Sequence, residues 1–188
     1  MPRPATDKRE RLAAAALELT YRHGFEATSI TEIASHAAIS AGSVYYYFKT
    51  KDDVAAAILQ TLEEQYGALM REWELLDDPR DRLLALVDNY ARNSEQVRSF
   101  GCPVGAVVAD LSKQGESIAA HAAAVMDTLI AWCAAQFEQL DYAKAAARAR
   151  AVHLVSVLQG AAALAKALGD SAVLRQETDH LVKWLSRP

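Results

Sequence analysis

Apolar residues recur every three or four positions along almost the whole chain, and glycines and prolines cluster at the joints between these stripes. That period is helical. A half-buried strand would alternate every second residue, and no alternating stretch of useful length occurs. There is no repeat of 20–50 residues either. The chain therefore reads as all-α. Its 188 residues, 52% hydrophobic and 23% charged, are enough to bury an ordinary globular core.

Local signals place the helices. Leu12, Ala16 and Leu19 mark a first helix that ends at Gly24, a candidate left-handed cap. The run Ser29-Ile-Thr-Glu32 has the capping-box pattern and opens a short second helix, with Ile30, Ile33, Ala34 and Ala37 on one face. A break at Ala38–Ser40 leads into a short third helix with Ser40 at its N-cap. Thr50 caps a much longer helix, with Asp52 and Asp53 in its first turn. Val54, Ile58, Leu62, Tyr66, Leu69 and Trp73 form its stripe until Asp77-Asp-Pro79 breaks it. Five further helices are predicted near 80–98, 102–112, 116–138, 142–168 and 171–186, about nine in all.

The opening residues MPRPATDKRE lack the apolar stretch of a signal peptide, and no apolar run of membrane-span length stands out, which predicts a cytoplasmic protein without membrane contact. Cys102 and Cys133 lie far apart in no metal-ligand spacing and read as reduced thiols. The net charge of −4 hides an asymmetry. Residues 1–51 carry seven Lys/Arg against five Asp/Glu, a net +2, whereas 52–188 carry 13 against 19, a net −6. Only the N-terminal end has the balance to meet an anion.

At that end the stretch SVYYYFKTK, residues 43–51, sets four aromatic rings in a row. On a helical wheel Val44, Tyr47 and Phe48 fall on one side, where they can join Leu19, Phe25, Ile33 and Ile39 in a small core. Gly42, Tyr45 and Tyr46 fall on the other, flanked by Ala41 and Ser43. Surface tyrosines are common. Here, however, the outward face begins with small residues that allow close approach, carries hydroxyls suited to phosphates and base edges, and is followed by Lys49 and Lys51. Two short helices joined by a tight turn, the second with such a face, make a helix-turn-helix with its recognition helix.

Residues 12–54, LAAAALELTYRHGFEATSITEIASHAAISAGSVYYYFKTKDDV, closely resemble the DNA-binding domain of the tetracycline-repressor (TetR/AcrR) family of bacterial regulators. The match rests on the AALEL…HGF helix end, TSITEIA, and GSVYYYFKTKDDV, and covers about a quarter of the chain. VSVLQGAAALAKAL, residues 155–168, resembles that family's penultimate helix. The resemblance implies an N-terminal three-helix DNA-binding domain at 1–51 and a larger ligand-binding and dimerisation domain at 52–188, linked by the helix from 51. It implies phosphate contacts from Thr28, Ser29, Thr31 and Lys51, and base or backbone contacts from Ala41, Gly42, Ser43, Tyr45 and Tyr46. Ala38 departs from the glycine common in the family's turn; if the backbone there is left-handed, alanine costs on the order of 1 kcal/mol.

The resemblance further implies a homodimer through the last two helices, about 142–186, a double-stranded DNA operator as partner, and a small-molecule effector. Val152, Val155, Leu158, Ala162 and Gly160, with Val173, Leu174, Leu181, Trp184 and Leu185, suit an intermolecular four-helix bundle, or the protomer's own core. Candidate effector contacts are Tyr66, Met70, Trp73, Tyr90, Phe100, Cys102, Met126, Trp132 and His153, although aromatic and Met residues at helical spacing equally suit plain core, and His153 a hydrogen-bonded core histidine. The long helix from Lys51 to about Leu75 spans on the order of 37 Å. It is expected to tilt when effector binds and so to change the spacing of the two recognition helices.

Pro103 suits a first helical position and makes Cys102 its N-cap, where a thiol can be activated. A redox- or electrophile-sensing regulator is therefore an alternative, and a buried, inert Cys102 another. An enzyme is the remote reading. His23, His36, His121, His153 and His180 are scattered, and no HExxH, nucleophile elbow, phosphate loop or CxxC occurs. Asp110, Glu116 and Asp127 suit solvated helix faces. A nucleoid-type binder would need positive charge over the body. No cofactor and no metal are expected.

Overall fold

Of the caps read from sequence, those at Ser29, Thr50 and Gly24 are built as hydrogen bonds, whereas Ser40 makes no side-chain capping bond. The structure, a computed structural model, describes residues 5–186, so the outermost four and two residues of the two domains proposed above lie outside the described residues. Among those described there are ten helices and no strand: α1 (Ala5–His23), α2 (Ile30–His36), α3 (Ala41–Tyr47), α4 (Lys51–Trp73), α5 (Pro79–Arg92), α6 (Ser94–Phe100), α7 (Pro103–Leu111), α8 (Glu116–Gln139), α9 (Lys144–Leu168) and α10 (Ser171–Leu185).

The single helix expected at 80–98 is two, because Asn93 leaves the helical backbone at ψ 14°. Its side-chain amide donates to the Asn89 carbonyl at 2.7 Å, a local bond that competes with the helix ladder. α4 ends at Trp73, a few residues before the Asp-Asp-Pro break, and Glu74–Asp78 form turns. α8 and α9 each contain an 18-residue window of mean hydropathy 1.5, which the sequence reading passed over. Alanine supplies much of that value, and each helix buries one face in the protein as core helices do.

By contacts the chain forms two compact units. The first comprises residues up to Tyr66 together with Ala106–Val125. Its buried side chains include Leu12, Phe25, Ile33, Val44, Phe48, Val54, Ile58, Leu111 and Ile118. Asp110, at the end of α7, accepts the Phe25 N–H at 2.6 Å just after α1 ends. Gly24 supplies that helix end, with φ +89° and its N–H bonded to the Thr20 carbonyl. The second unit comprises Gly67–Gly105 and the chain from Met126 onward. There α10 packs on α9, α5 and α6, around Leu83, Leu86, Leu129, Phe137, Leu154, Leu158 and Leu181. Glu95 joins Ser171 and Arg175 at the start of α10, and these donors, with Arg98, hold its carboxyl at about 2.

The turn between α2 and α3 bears out the expectation about Ala38, whose φ is +52°. The Ala38 N–H bonds to the Ser35 carbonyl and the Ile39 N–H to the Ala34 carbonyl, a Schellman closure with alanine where glycine is favoured. A left-handed alanine costs about 1–2 kcal/mol, of which glycine's larger unfolded-state entropy takes back part. Ala38→Gly is therefore expected to stabilise the first unit by about 0.5–1 kcal/mol. Urea melts should show a higher midpoint at unchanged m; an unchanged or lower midpoint would mean that the turn carries no such strain.

Candidate nucleic-acid interface

The interface is assembled from short elements with well-made ends. At the start of α2 the Ser29 hydroxyl accepts the Glu32 N–H at 3.2 Å, and Glu32 accepts the Ser29 N–H at 2.8 Å. Ser29's hydroxyl and backbone N–H both hold the Glu32 carboxyl below its ordinary range. At the start of α4 the pattern repeats. Thr50 accepts the Asp53 N–H at 3.1 Å, while Asp53 accepts from the backbone of Lys49 and Thr50 at 2.8 and 2.9 Å. Those two backbone donors, Lys49 first, lower the Asp53 carboxyl. Ser40 precedes α3 without a side-chain capping bond; its hydroxyl instead pairs with Ser43 at 2.8 Å.

With both neighbours of α3 fixed, its faces separate as the wheel requires. Val44 and Phe48 are buried and Tyr47 half-buried, whereas Tyr45 and Tyr46 are 58% and 73% exposed. Tyr46 is braced edge-on by Tyr47 at 5.1 Å between ring centroids. Lys49 lies over the Tyr46 ring at 5.7 Å and donates to the Tyr45 carbonyl at 2.7 Å, at the negative end of α3. Ala41 and Gly42 are exposed, and a Cβ added at 42 would meet nothing within 4 Å.

Below this helix opens a cleft of about 410 Å³ whose lining includes Phe25, Ile33, Phe48 and Val54 as well as Thr28, Ser29, Tyr45, Lys49, Thr50 and Lys51. The fold thus gathers Thr28, Ser29, Tyr45 and Lys51 into one concave surface, while Thr31, Ala41, Gly42, Ser43 and Tyr46 lie outside its lining. Glu26 also lines the cleft, with its carboxylate 2.7 Å from the Lys51 ammonium. No spacing in the sequence marks that pair, whose members are 25 positions apart.

The nine candidate effector contacts divide between the two units. Tyr66 falls in the first unit and the other eight in the second. Trp73 and Trp132 pack at 5.6 Å, and the Trp132 indole donates to Glu74 at 3.0 Å. Buried Tyr90 bonds the Cys102 sulfur at 3.1 Å, and Gln159 donates to the Tyr90 hydroxyl at 3.0 Å and to the same sulfur at 3.4 Å. The Gly105 N–H faces that sulfur at 3.5 Å, as the N-cap reading requires. A Cβ at 105 would collide with the Gln159 side chain, so glycine keeps this polar knot closed. Cys133 is buried and its thiol is pushed up to about 12. His153 is exposed, not a core histidine, with its ring 5.1 Å from Trp184. Phe100 and Met126 are half-buried.

A helix-turn-helix that projects tyrosines beside lysines above a hydroxyl-lined cleft defines a DNA-binding regulator. Residues 12–58 match the family described as "Bacterial regulatory proteins, tetR family". Residues 79–180, more than half of the chain, match "Transcriptional regulator LmrA/YxaF-like, C-terminal domain". The chain belongs to the tetR family of transcriptional regulators, as the helix-turn-helix residues indicated.

An HTH-type transcriptional regulator from the lacX 3′ region of Lactococcus lactis subsp. lactis is 26% identical over 181 residues, covering 92% of this chain and 90% of that protein. An HTH-type transcriptional repressor of Mycobacterium tuberculosis is 33% identical over 113 residues, 55% of this chain and 58% of that one. Among solved structures, a TetR transcriptional regulator from Legionella pneumophila superposes with a TM-score of 0.84 at 22% identity over 98% of both chains, a likeness of fold. A transcriptional regulator from Rhodococcus sp. Rha1 superposes with a TM-score of 0.72 at 26% identity over 94% of this chain and 95% of that one.

Proposed function

We propose that the protein is a cytoplasmic, non-enzymatic repressor that binds a (pseudo)palindromic operator as a homodimer and releases it when a small-molecule effector binds the helical second unit. The observation that carries this reading is the outward display of Tyr45 and Tyr46 beside Lys49, above the cleft lined by Thr28, Ser29 and Lys51. Side chains on α3 supply base contacts and the cleft residues supply phosphate contacts. The name of the Mycobacterium tuberculosis relative favours repression.

The dimer reading rests on a face of α9. Ala149, Val152, Ser156, Gly160, Ala163 and Ala167 follow one another at helical spacing and are all exposed, with Leu164 and Leu168 beside them at 53% and 66%. Such a row of small residues lets a second helix approach closely. Val155, Leu158, Ala162, Leu174, Leu181 and Leu185, also candidates for the interface from sequence, are buried within the protomer and belong to its own core. Cys102 is equally enclosed, its sulfur occupied by Tyr90 and Gln159, which favours an effector reading over thiol sensing.

The test begins with selection of operators from random duplex DNA. Palindromic sequences are expected, and a compound screen should find an effector that lowers operator affinity about 5–150-fold, with operator weakening effector binding by the same factor. Spin labels on the two α3 helices should then report a changed separation, as expected if α4 tilts. Selection of sequences without two-fold symmetry would overturn the operator reading. An unchanged separation, while affinity falls, would replace the tilt with changed dynamics.

A further inference from the structure

Lys51 is read above as a phosphate contact, yet its ammonium is already engaged. It sits 2.7 Å from Glu26 Oε2 and 5.0 Å from the centre of the Phe25 ring. The Lys51 ammonium foremost, and to a smaller extent the Gln114 side chain in the turn between α7 and α8, lower the Glu26 carboxyl below its ordinary range. Both charges stand open to solvent on the lining of the cleft that holds Thr28 and Ser29, with side-chain exposures of 48% for Lys51 and 69% for Glu26. A carboxylate oxygen offers a lysine the same things as a phosphate oxygen: negative charge and lone pairs at hydrogen-bond distance.

We propose that Glu26 is an intramolecular stand-in for an operator phosphate, which holds Lys51 in the free protein and must yield it when DNA docks. The inference rests on the reading of Lys51 as a phosphate contact. The free protein presents the pair as a neutral unit with the lysine head pre-positioned on the cleft wall. Docking exchanges one anion for another at the ammonium and leaves the Glu26 carboxylate to solvent beside the backbone of the DNA. That exchange weakens binding without reading any base, so Glu26 sets the strength of binding and not its selectivity.

The test uses the full chain with a selected operator duplex and a random-sequence duplex, read by fluorescence anisotropy across a salt series. Glu26→Gln should tighten binding to both duplexes about two- to fivefold at low salt, the range of an exposed ion pair, and should steepen the log–log salt slope by up to about one unit. Lys51→Ala should weaken both and flatten the slope by about one unit. In the Lys51→Ala background, Glu26→Gln should lose most of its gain. If Lys51→Ala changes neither affinity nor slope, the phosphate reading of Lys51 fails and the stand-in falls with it. If Lys51→Ala behaves as expected but Glu26→Gln gives no gain, or the same gain in both backgrounds, Lys51 keeps its role and the stand-in is overturned. Both side chains are exposed, and matching thermal melts will show that the variants are folded.

Discussion

Gly160→Glu is expected to give a folded monomer that has lost operator binding. A Cβ added at 160 meets nothing within 4 Å beyond its own stretch of helix, and the position is exposed, so a side chain there has room to point to solvent. Replacing a mid-helix glycine removes a cost of up to about 1 kcal/mol, so α9 should be slightly more stable alone. Between two copies of α9 the same glutamate would stand in the row of small residues and bring its charge into a dry contact. A monomer holds one half-site where the dimer holds two, and loss of that linkage corresponds to a fall of about 100–10,000-fold in operator affinity. Sedimentation should show a species near 20.5 kDa with unchanged far-UV circular dichroism. A dimer that persists at wild-type operator affinity would move the interface away from this face.

The residues that sequence offered for the proposed interface were a mixture, Val152 and Gly160 exposed and most of the others buried, and the reason is physical. Large apolar side chains at helical spacing mark burial but not what buries them. Val155, Leu158 and Leu181 are covered by their own protomer, and apart from Val152 the exposed row is made of alanine, serine and glycine, which hydrophobicity alone ranks low. Features spanning four residues or fewer were legible. The reciprocal cap of Ser29 and Glu32, the Thr50 cap, the left-handed Gly24 and the Cys102–Pro103 start of α7 all formed as read. Contacts that join distant positions were not legible, because no period encodes them: Glu26 with Lys51, Asp110 with the Phe25 N–H, and Gln159 with Tyr90 and Cys102. The break at Asn93 was missed for another reason. Asparagine is only a mild helix breaker, and its bond back to Asn89 decides the matter in the folded chain.

Phe48→Ala and Tyr46→Ala, two positions apart in one aromatic run, are expected to fail in opposite ways. Phe48 is 2% exposed, lies beneath Arg9 at 5.8 Å and lines the same cleft as Phe25, Ile33 and Val54. Truncating such a ring costs about 3–5 kcal/mol, a large share of the stability of a small domain. The variant should lose affinity for operator and random DNA together, because the surface that carries both kinds of contact melts. Phe48→Leu, which keeps most of the apolar volume, should restore much of it. Tyr46 is 73% exposed and gives the fold little beyond its edge contact with Tyr47. Its loss should leave the thermal midpoint nearly unchanged while operator affinity falls about tenfold more than affinity for random DNA, within the 1–3 kcal/mol of a base-reading contact. Melting curves and paired anisotropy titrations on the two variants separate the roles. Equal losses on both DNAs from Tyr46→Ala would make that ring a backbone contact, and an unperturbed melt for Phe48→Ala would show that the inward half of the run does not hold the recognition helix.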